Sequence, residues 1–210
     1  MPEQETVARR RFLKMAGGGG VASAALVLAA CGSDNKNATT SAAAAGADTT
    51  ATMNGDIAIV NYALTLEYLE AEFYKQAAAT GFCKGAQLDL IKTIGEHERQ
   101  HVNALTMAVK QLGGTPAMKP ATKFPLSDAK TIVKTAQAVE NLGAAAYLGQ
   151  APRIKNKDIL AAALSIHSVE ARHAAVLNTL VGKDITPDGA FAKPASMAEV
   201  LPIAKQFIAG

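Results

Sequence analysis

The sequence contains no tryptophan, and aromatic residues make up only 5% of it. Large rings therefore cannot be the main material of the core. Apolar residues still reach 49%, and alanine dominates them, which favours closely packed helices over a β-sandwich. Only two cysteines occur, Cys31 and Cys83, too few for a disulfide framework. An excess of one charge is also missing. Formal net charge is +3, but the first 30 residues carry Arg9, Arg10, Arg11 and Lys14 against Glu3 and Glu5, leaving 17 bases and 16 acids in the rest. That balance offers no basic surface for nucleic acid. No strand-like alternation of useful length is found, and the apolar stretch Met15–Ala30 is too short and too rich in glycine (Gly17–Gly20) to span a bilayer well. A length of 210 residues bounds the fold at one domain or slightly more.

A basic patch followed by a short apolar run reads as a removable leader over residues 1–30. The run Arg9-Arg10-Arg11-Phe12-Leu13-Lys14 resembles the twin-arginine export motif, with Ala8 where that motif usually has Ser or Thr. Leu28-Ala29-Ala30-Cys31 resembles a bacterial lipobox, whose cysteine becomes the lipidated N-terminus. Cys31 is then a lipid anchor and Cys83 a small apolar residue near a helix end. Residues 31–55 are small and polar, unable to bury enough surface to order themselves, and read as a flexible tether. The domain proper is expected over residues 56–210.

Helical periodicity begins near Asp56, with Asn54-Gly55-Asp56 as stop and cap. Val60, Ala63, Leu64, Glu67, Ala71, Tyr74 and Ala78 share one face up to about Thr80. A second helix is expected from Gln87 to Leu112, before Gly113-Gly114 and Pro116. A third is capped by Ser127-Asp128 and runs to Gly149. A fourth covers Lys157 to Leu180, and a short fifth spans Ser196 to Ile208. Short, long and short connections describe two helical hairpins with a long crossover between helices two and three, an all-α four-helix bundle of ferritin-like topology with a short C-terminal fifth helix.

Helix two contains Glu98-Arg99-Gln100-His101, and helix four contains Glu170-Ala171-Arg172-His173. Each is Glu-x-x-His, which puts a carboxylate and an imidazole one turn apart on one face. One such pair is commonplace on a solvated surface; two on alternate helices are a metal-binding pattern if the other helices each add a Glu. Glu140 is the only acid of helix three after its cap, and it sits among Val133, Ala136, Ala144 and Tyr147. On helix one, Glu67 is favoured, because Tyr74 follows it by seven residues as Tyr147 follows Glu140. Glu70 stays open as an alternative or supporting ligand, whereas Glu72 points elsewhere. His97 belongs at the helix rim, and His167 is a supporting group or a third nitrogen donor.

These motifs resemble the ferritin-like superfamily (ferritins, bacterioferritins and rubrerythrin-type proteins) over roughly Asp56 to Leu180. The stretch Leu64-Thr65-Leu66-Glu67-Tyr68-Leu69-Glu70-Ala71-Glu72-Phe73-Tyr74 looks most like exported, stress-associated ferritin-like domain proteins of bacteria. The resemblance implies two iron ions, with manganese as the alternative, bridged by Glu98 and Glu170. Glu67 and Glu140 would be terminal ligands, His101 and His173 would each take one metal, and Tyr74 would hydrogen-bond near the site. It implies an exported, membrane-anchored protein of the periplasm or outer membrane face that oxidises Fe(II) or reduces O2 or peroxide under oxidative stress. The alternative is a non-catalytic metal-binding bundle of the envelope. Expected partners are membrane lipid through Cys31 and the twin-arginine machinery, not nucleic acid; a homodimer stays open.

Overall fold

The computed structural model describes residues 42–209; the Arg9–Lys14 run, the Met15–Ala30 stretch and Cys31 lie outside the described residues. Met1–Thr50 and Ala51–Gly210 form separate units, and the bundle belongs to the second. Its helices are α1 (Ala42–Ala79), α2 (Gly85–Gln111), α3 (Ala129–Gln150), α4 (Lys157–Leu180) and α5 (Met197–Ala204), with 3-10 turns at Ala151–Arg153 and Lys205–Phe207. No strand is present among the described residues. No helix among them is long and apolar enough to cross a membrane. The all-α bundle with its long crossover between α2 and α3 is as the periodicity implies.

The first helix departs from expectation. It starts at Ala42 and runs through Asn54-Gly55-Asp56, so part of the expected tether is helical. The alanine-rich stretch Ala42–Ala45 has high helix propensity, which outweighs the local capping pattern. Asp56 does not cap its own helix. Only 1% exposed, it accepts the backbone N–H of Lys155 at 3.0 Å and of Asn156 at 2.7 Å, tying α1 to the turn before α4. The other caps fall where the sequence puts them. Asp128 accepts the N–H of Thr131 at 2.8 Å, Asn156 caps α4, and Ser196 with Glu199 forms a capping box on α5.

The crossover between α2 and α3 is not loose. Asn61 on α1 donates to the Thr115 carbonyl at 3.0 Å and accepts from Ala117 N–H at 2.7 Å. Glu72 pairs with Lys119, and Gln76 donates to Thr122 Oγ1. These polar residues of α1 pin the crossover along it. The C-terminal segment then clamps the crossover: Lys123 N–H reaches the Phe207 carbonyl and Ala209 N–H the Ala121 carbonyl, both at 2.9 Å. Burial on α1 is wider than one stripe because α5 covers its other side, packing Val200 and Ala204 on Leu66 and Leu69.

The core has two apolar ends. One gathers Ile59, Val60, Leu64, Leu105, Val109 and Ile159. The other gathers Phe73, Ile91, Ile94, Ile132, Val133 and Leu177. On every one of the four long helices, the acidic residues singled out above fall between these clusters.

Candidate metal centre

Four helices each aim a carboxylate into the band between the apolar ends. Glu67 (α1), Glu98 (α2), Glu140 (α3) and Glu170 (α4) are all 0% exposed. His101 and His173, one turn beyond Glu98 and Glu170, are buried beside them. Two groups of ligand-type atoms converge: Glu67, Glu98, His101 and Glu170 in one, and Glu98, Glu140, Glu170 and His173 in the other. The groups share Glu98 and Glu170, the arrangement of two adjacent cation positions with two common carboxylates.

His101 Nδ1 lies 3.3 Å from Glu67 Oε2, 3.0 Å from Glu98 Oε2 and 3.2 Å from Glu170 Oε1. His173 Nδ1 lies 3.0 Å from Glu98 Oε1 and 3.1 Å from Glu140 Oε2. A single ring N–H donates to one acceptor, so it leaves the other oxygens around it unsatisfied. Glu67 Oε2, Glu98 Oε1, Glu140 Oε1 and both oxygens of Glu170 are indeed buried without a hydrogen-bond partner, a costly condition unless a cation belongs there. The spacing agrees: neighbouring ligands of an octahedral ion with bonds of about 2.1 Å sit about 3.0 Å apart. Mixed carboxylate and imidazole donors suit iron or manganese. The residues therefore fit a pair of divalent ions.

The electrostatics of the metal-free cluster point the same way. Burial, followed by the charges of neighbouring carboxylates, holds the carboxyls of Glu98, Glu170 and Glu70 well above the usual range. Burial also pushes on Glu67, but the neighbouring His101 imidazole, with Glu98 and Tyr147, outweighs it and leaves Glu67 low. For His101, burial opposes the charge, yet the surrounding carboxylates of Glu170, Glu67 and Glu98 prevail and raise it. Protons thus take the role a cation would fill, and cation binding displaces them.

Around the ligands, Tyr147 donates to Glu67 Oε1 at 2.5 Å across the two hairpins. Tyr74 sits beside Glu140 with its hydroxyl buried and lacking a partner in hydrogen-bond geometry; burial and then the Glu140 charge raise its pKa. His97 is half-buried, in keeping with a place at the helix rim, and α4 packs close enough that its Nδ1 lies 2.9 Å from His173 Nε2, with ring planes 9° apart, so it backs the outer nitrogen of His173. His167 falls outside both ligand groups, and its Nδ1 is buried without a hydrogen-bond partner.

Glu70 also falls outside both groups, yet it is only 4% exposed. Its place depends on Gly143 of α3, a residue sequence reasoning passed over. A Cβ at Gly143 would stand 2.8 Å from both Glu70 Oε1 and Glu170 Oε2. A glycine inside a helix costs roughly 0.5–1 kcal/mol relative to alanine, and here the vacant side-chain volume is filled by carboxylate. Glu72 is away from the cluster, held by Lys119, Gln76 and Lys75. Cys83 is a free, buried thiol in the α1–α2 turn.

A family model described as a ferritin-like domain matches residues 55–183, the four long helices without α5. The crystal structure of a conserved hypothetical protein from Mycobacterium tuberculosis is similar, with a TM-score of 0.57 and 19% identity, covering 70% of this chain and 99% of that chain. At that identity the likeness concerns the fold alone. No curated protein matches the chain.

Proposed function

The chain belongs to the ferritin-like domain family, and from that premise we propose that it holds two iron ions, with manganese the alternative, and oxidises Fe(II) while reducing dioxygen or peroxide. The observation that carries the reading is the pair of overlapping four-residue groups with Glu98 and Glu170 in common. A pair of redox-active ions there supplies two one-electron equivalents side by side. The protein's own residues supply the rest. Glu98 and Glu170 would be shared by the two ions, with Glu67 and His101 holding one and Glu140 and His173 the other. His97 sets the tautomer of His173. Tyr147 keeps its proton at the hydroxyl that orients Glu67, burial holding that hydroxyl protonated. The two apolar clusters exclude bulk water from both ends. The Arg9–Lys14 run and Cys31 support export in a folded state through the twin-arginine machinery, with anchoring at the outer face of the membrane.

Anaerobic titration with Fe(II) is expected to give two ions per chain, and aerobic addition to consume oxidant over repeated turnovers. The Glu98→Ala/Glu170→Ala double variant should bind neither ion. Unchanged binding by that variant would place the centre elsewhere. Full binding with no consumption of dioxygen or peroxide would leave the non-catalytic alternative.

A further inference from the structure

Charge balance in the sequence and charge at the surface are different quantities in this protein. Residues 55–209 hold 16 lysines and arginines and 14 acids. Six of those acids, Asp56, Glu67, Glu70, Glu98, Glu140 and Glu170, are buried, whereas all 16 bases are exposed. The buried acids serve a turn and the cluster, which leaves eight acids to offset the bases outside. The exterior is therefore markedly basic, and such an exterior is drawn to polyanionic surfaces.

Four of the bases, Lys75, Lys92, Arg99 and Lys119, border a wide recess of ≈ 460 Å3 between α1 and α2, against two acids, Glu72 and Glu96. Both acids are taken. Glu72 pairs with Lys119 and lies 3.8 Å from Lys75, and Glu96 pairs with Arg99. Lys92 makes no ion pair among the described residues, so the rim keeps an excess of positive charge. Its side chains are long and solvated, 75% exposed for Lys75 and 48% for Lys119. They do not cage one small anion; they suit a surface that carries many. Below the rim the wall is apolar, with Ala71, Ile91 and Val102 in it. Next to Lys119, the Met118 side chain is 91% exposed. Cations around an apolar floor, with a protruding apolar chain beside them, match an amphiphile, which a nucleic-acid duplex or a free phosphate is not.

Independently of what chemistry the metals perform, we propose that the α1–α2 face containing this recess docks on an anionic phospholipid bilayer. Lys75, Lys92, Arg99 and Lys119 meet the headgroup phosphates, and Met118 enters among the acyl carbons.

Acetylation of surface amines, read residue by residue by mass spectrometry, tests this on the full chain. Phosphatidylglycerol vesicles at low salt should slow the reaction of Lys75, Lys92 and Lys119 by about threefold or more, an effect that high salt reverses. Lys183 and Lys193, on the α3–α4 side, should react as before. Phosphatidylcholine vesicles should protect none of these lysines. The Arg9–Arg11 run is common to every sample, so it cannot create a difference between the two sides. Lys75→Glu/Lys92→Glu should weaken binding to the anionic vesicles by about tenfold, and Met118→Ser by less. Equal reactivity with and without anionic vesicles in the unaltered protein overturns the proposal, as does protection spread evenly over all lysines. Equal protection by glycerol phosphate or by a short DNA duplex also overturns it, making a soluble anion or nucleic acid the occupant instead.

Discussion

The hairpin α1–α2 and the hairpin α3–α4 present the same sequence of groups: Glu, then Tyr seven residues on, then Glu-x-x-His. Seventy-three residues separate Glu67 from Glu140 and Tyr74 from Tyr147; seventy-two separate Glu98 from Glu170 and His101 from His173. The same steps pair Glu70 with Gly143, His97 with Val169, and Gly95 with His167. The groups facing the centre are thus repeated, and those behind them are not. The first hairpin brings the extra carboxylate, and the second withholds a side chain to make room for it. The first hairpin also supplies the imidazole that backs His173, where the second has only Val169 in the corresponding place. Near-symmetry of the acidic and imidazole groups therefore coexists with asymmetry of charge and hydrogen bonding, and the two overlapping four-residue groups are chemically unlike.

The largest expected effect tests the surplus charge of the first hairpin. Glu70, Glu98 and Glu170 have folded pKa values above the ordinary 4.5, so above that pH the metal-free fold binds more protons than the unfolded chain. Its stability therefore falls as pH rises. His101, raised above 6.5, acts in the same direction: its contribution is complete below 6.5 and is lost as pH climbs. Glu67, lowered, acts oppositely, but its window lies below 4.5. Calorimetry of chelator-treated protein should show Tm dropping from pH 5 to pH 8 by on the order of 5 °C, and Glu70→Gln should flatten the slope. A metal-free Tm that is level or rising over that range contradicts the charge assignment.

A smaller effect is expected on making the second hairpin less accommodating. Gly143→Ala improves helix propensity, yet its Cβ meets Glu70 and Glu170 at 2.8 Å. Overpacking of this kind typically costs about 1–3 kcal/mol, so denaturant unfolding should show a net loss. Combining it with Glu70→Ala should recover part of that loss. An alanine variant as stable as the parent would mean that the carboxylates move aside freely.

The smallest effect is expected at Tyr74, set against Tyr147. Tyr147→Phe removes a hydrogen bond to Glu67 and should cost about 1.5–3 kcal/mol in unfolding experiments. Tyr74→Phe removes a hydroxyl that has no partner in hydrogen-bond geometry and should cost under about 1 kcal/mol. Equal losses would show that Tyr74 closes onto Glu140 in solution.

What the sequence discloses here is what helical spacing controls directly. Glu98 with His101 and Glu170 with His173 are legible because a three-residue step fixes a shared face. Glu140 is legible because a lone acid among Val133, Ala136 and Tyr147 needs a reason to be there. Glu67 was separable from Glu70 only through the repeated tyrosine. What escapes is what depends on neighbours distant in sequence. Asp56 looks like a helix cap and instead serves a turn about a hundred residues away. Gly143 looks like a weak helix position until Glu70 is seen against it. His97 looks peripheral until α4 approaches. Asn61, Glu72 and Gln76 read as ordinary surface residues, although they hold the crossover in place.

The bond from Tyr147 to Glu67 joins residues 80 positions apart, and the converging acids come from four separate helices. Such a constellation has a high contact order, and no single-helix fluctuation dismantles it. Fraying at the end of α2, or opening of the α5 clamp, leaves most of the donors around an ion in place. An ion held by donors from four helices gives them up one after another and not together, so its retention depends on how many helices move at once.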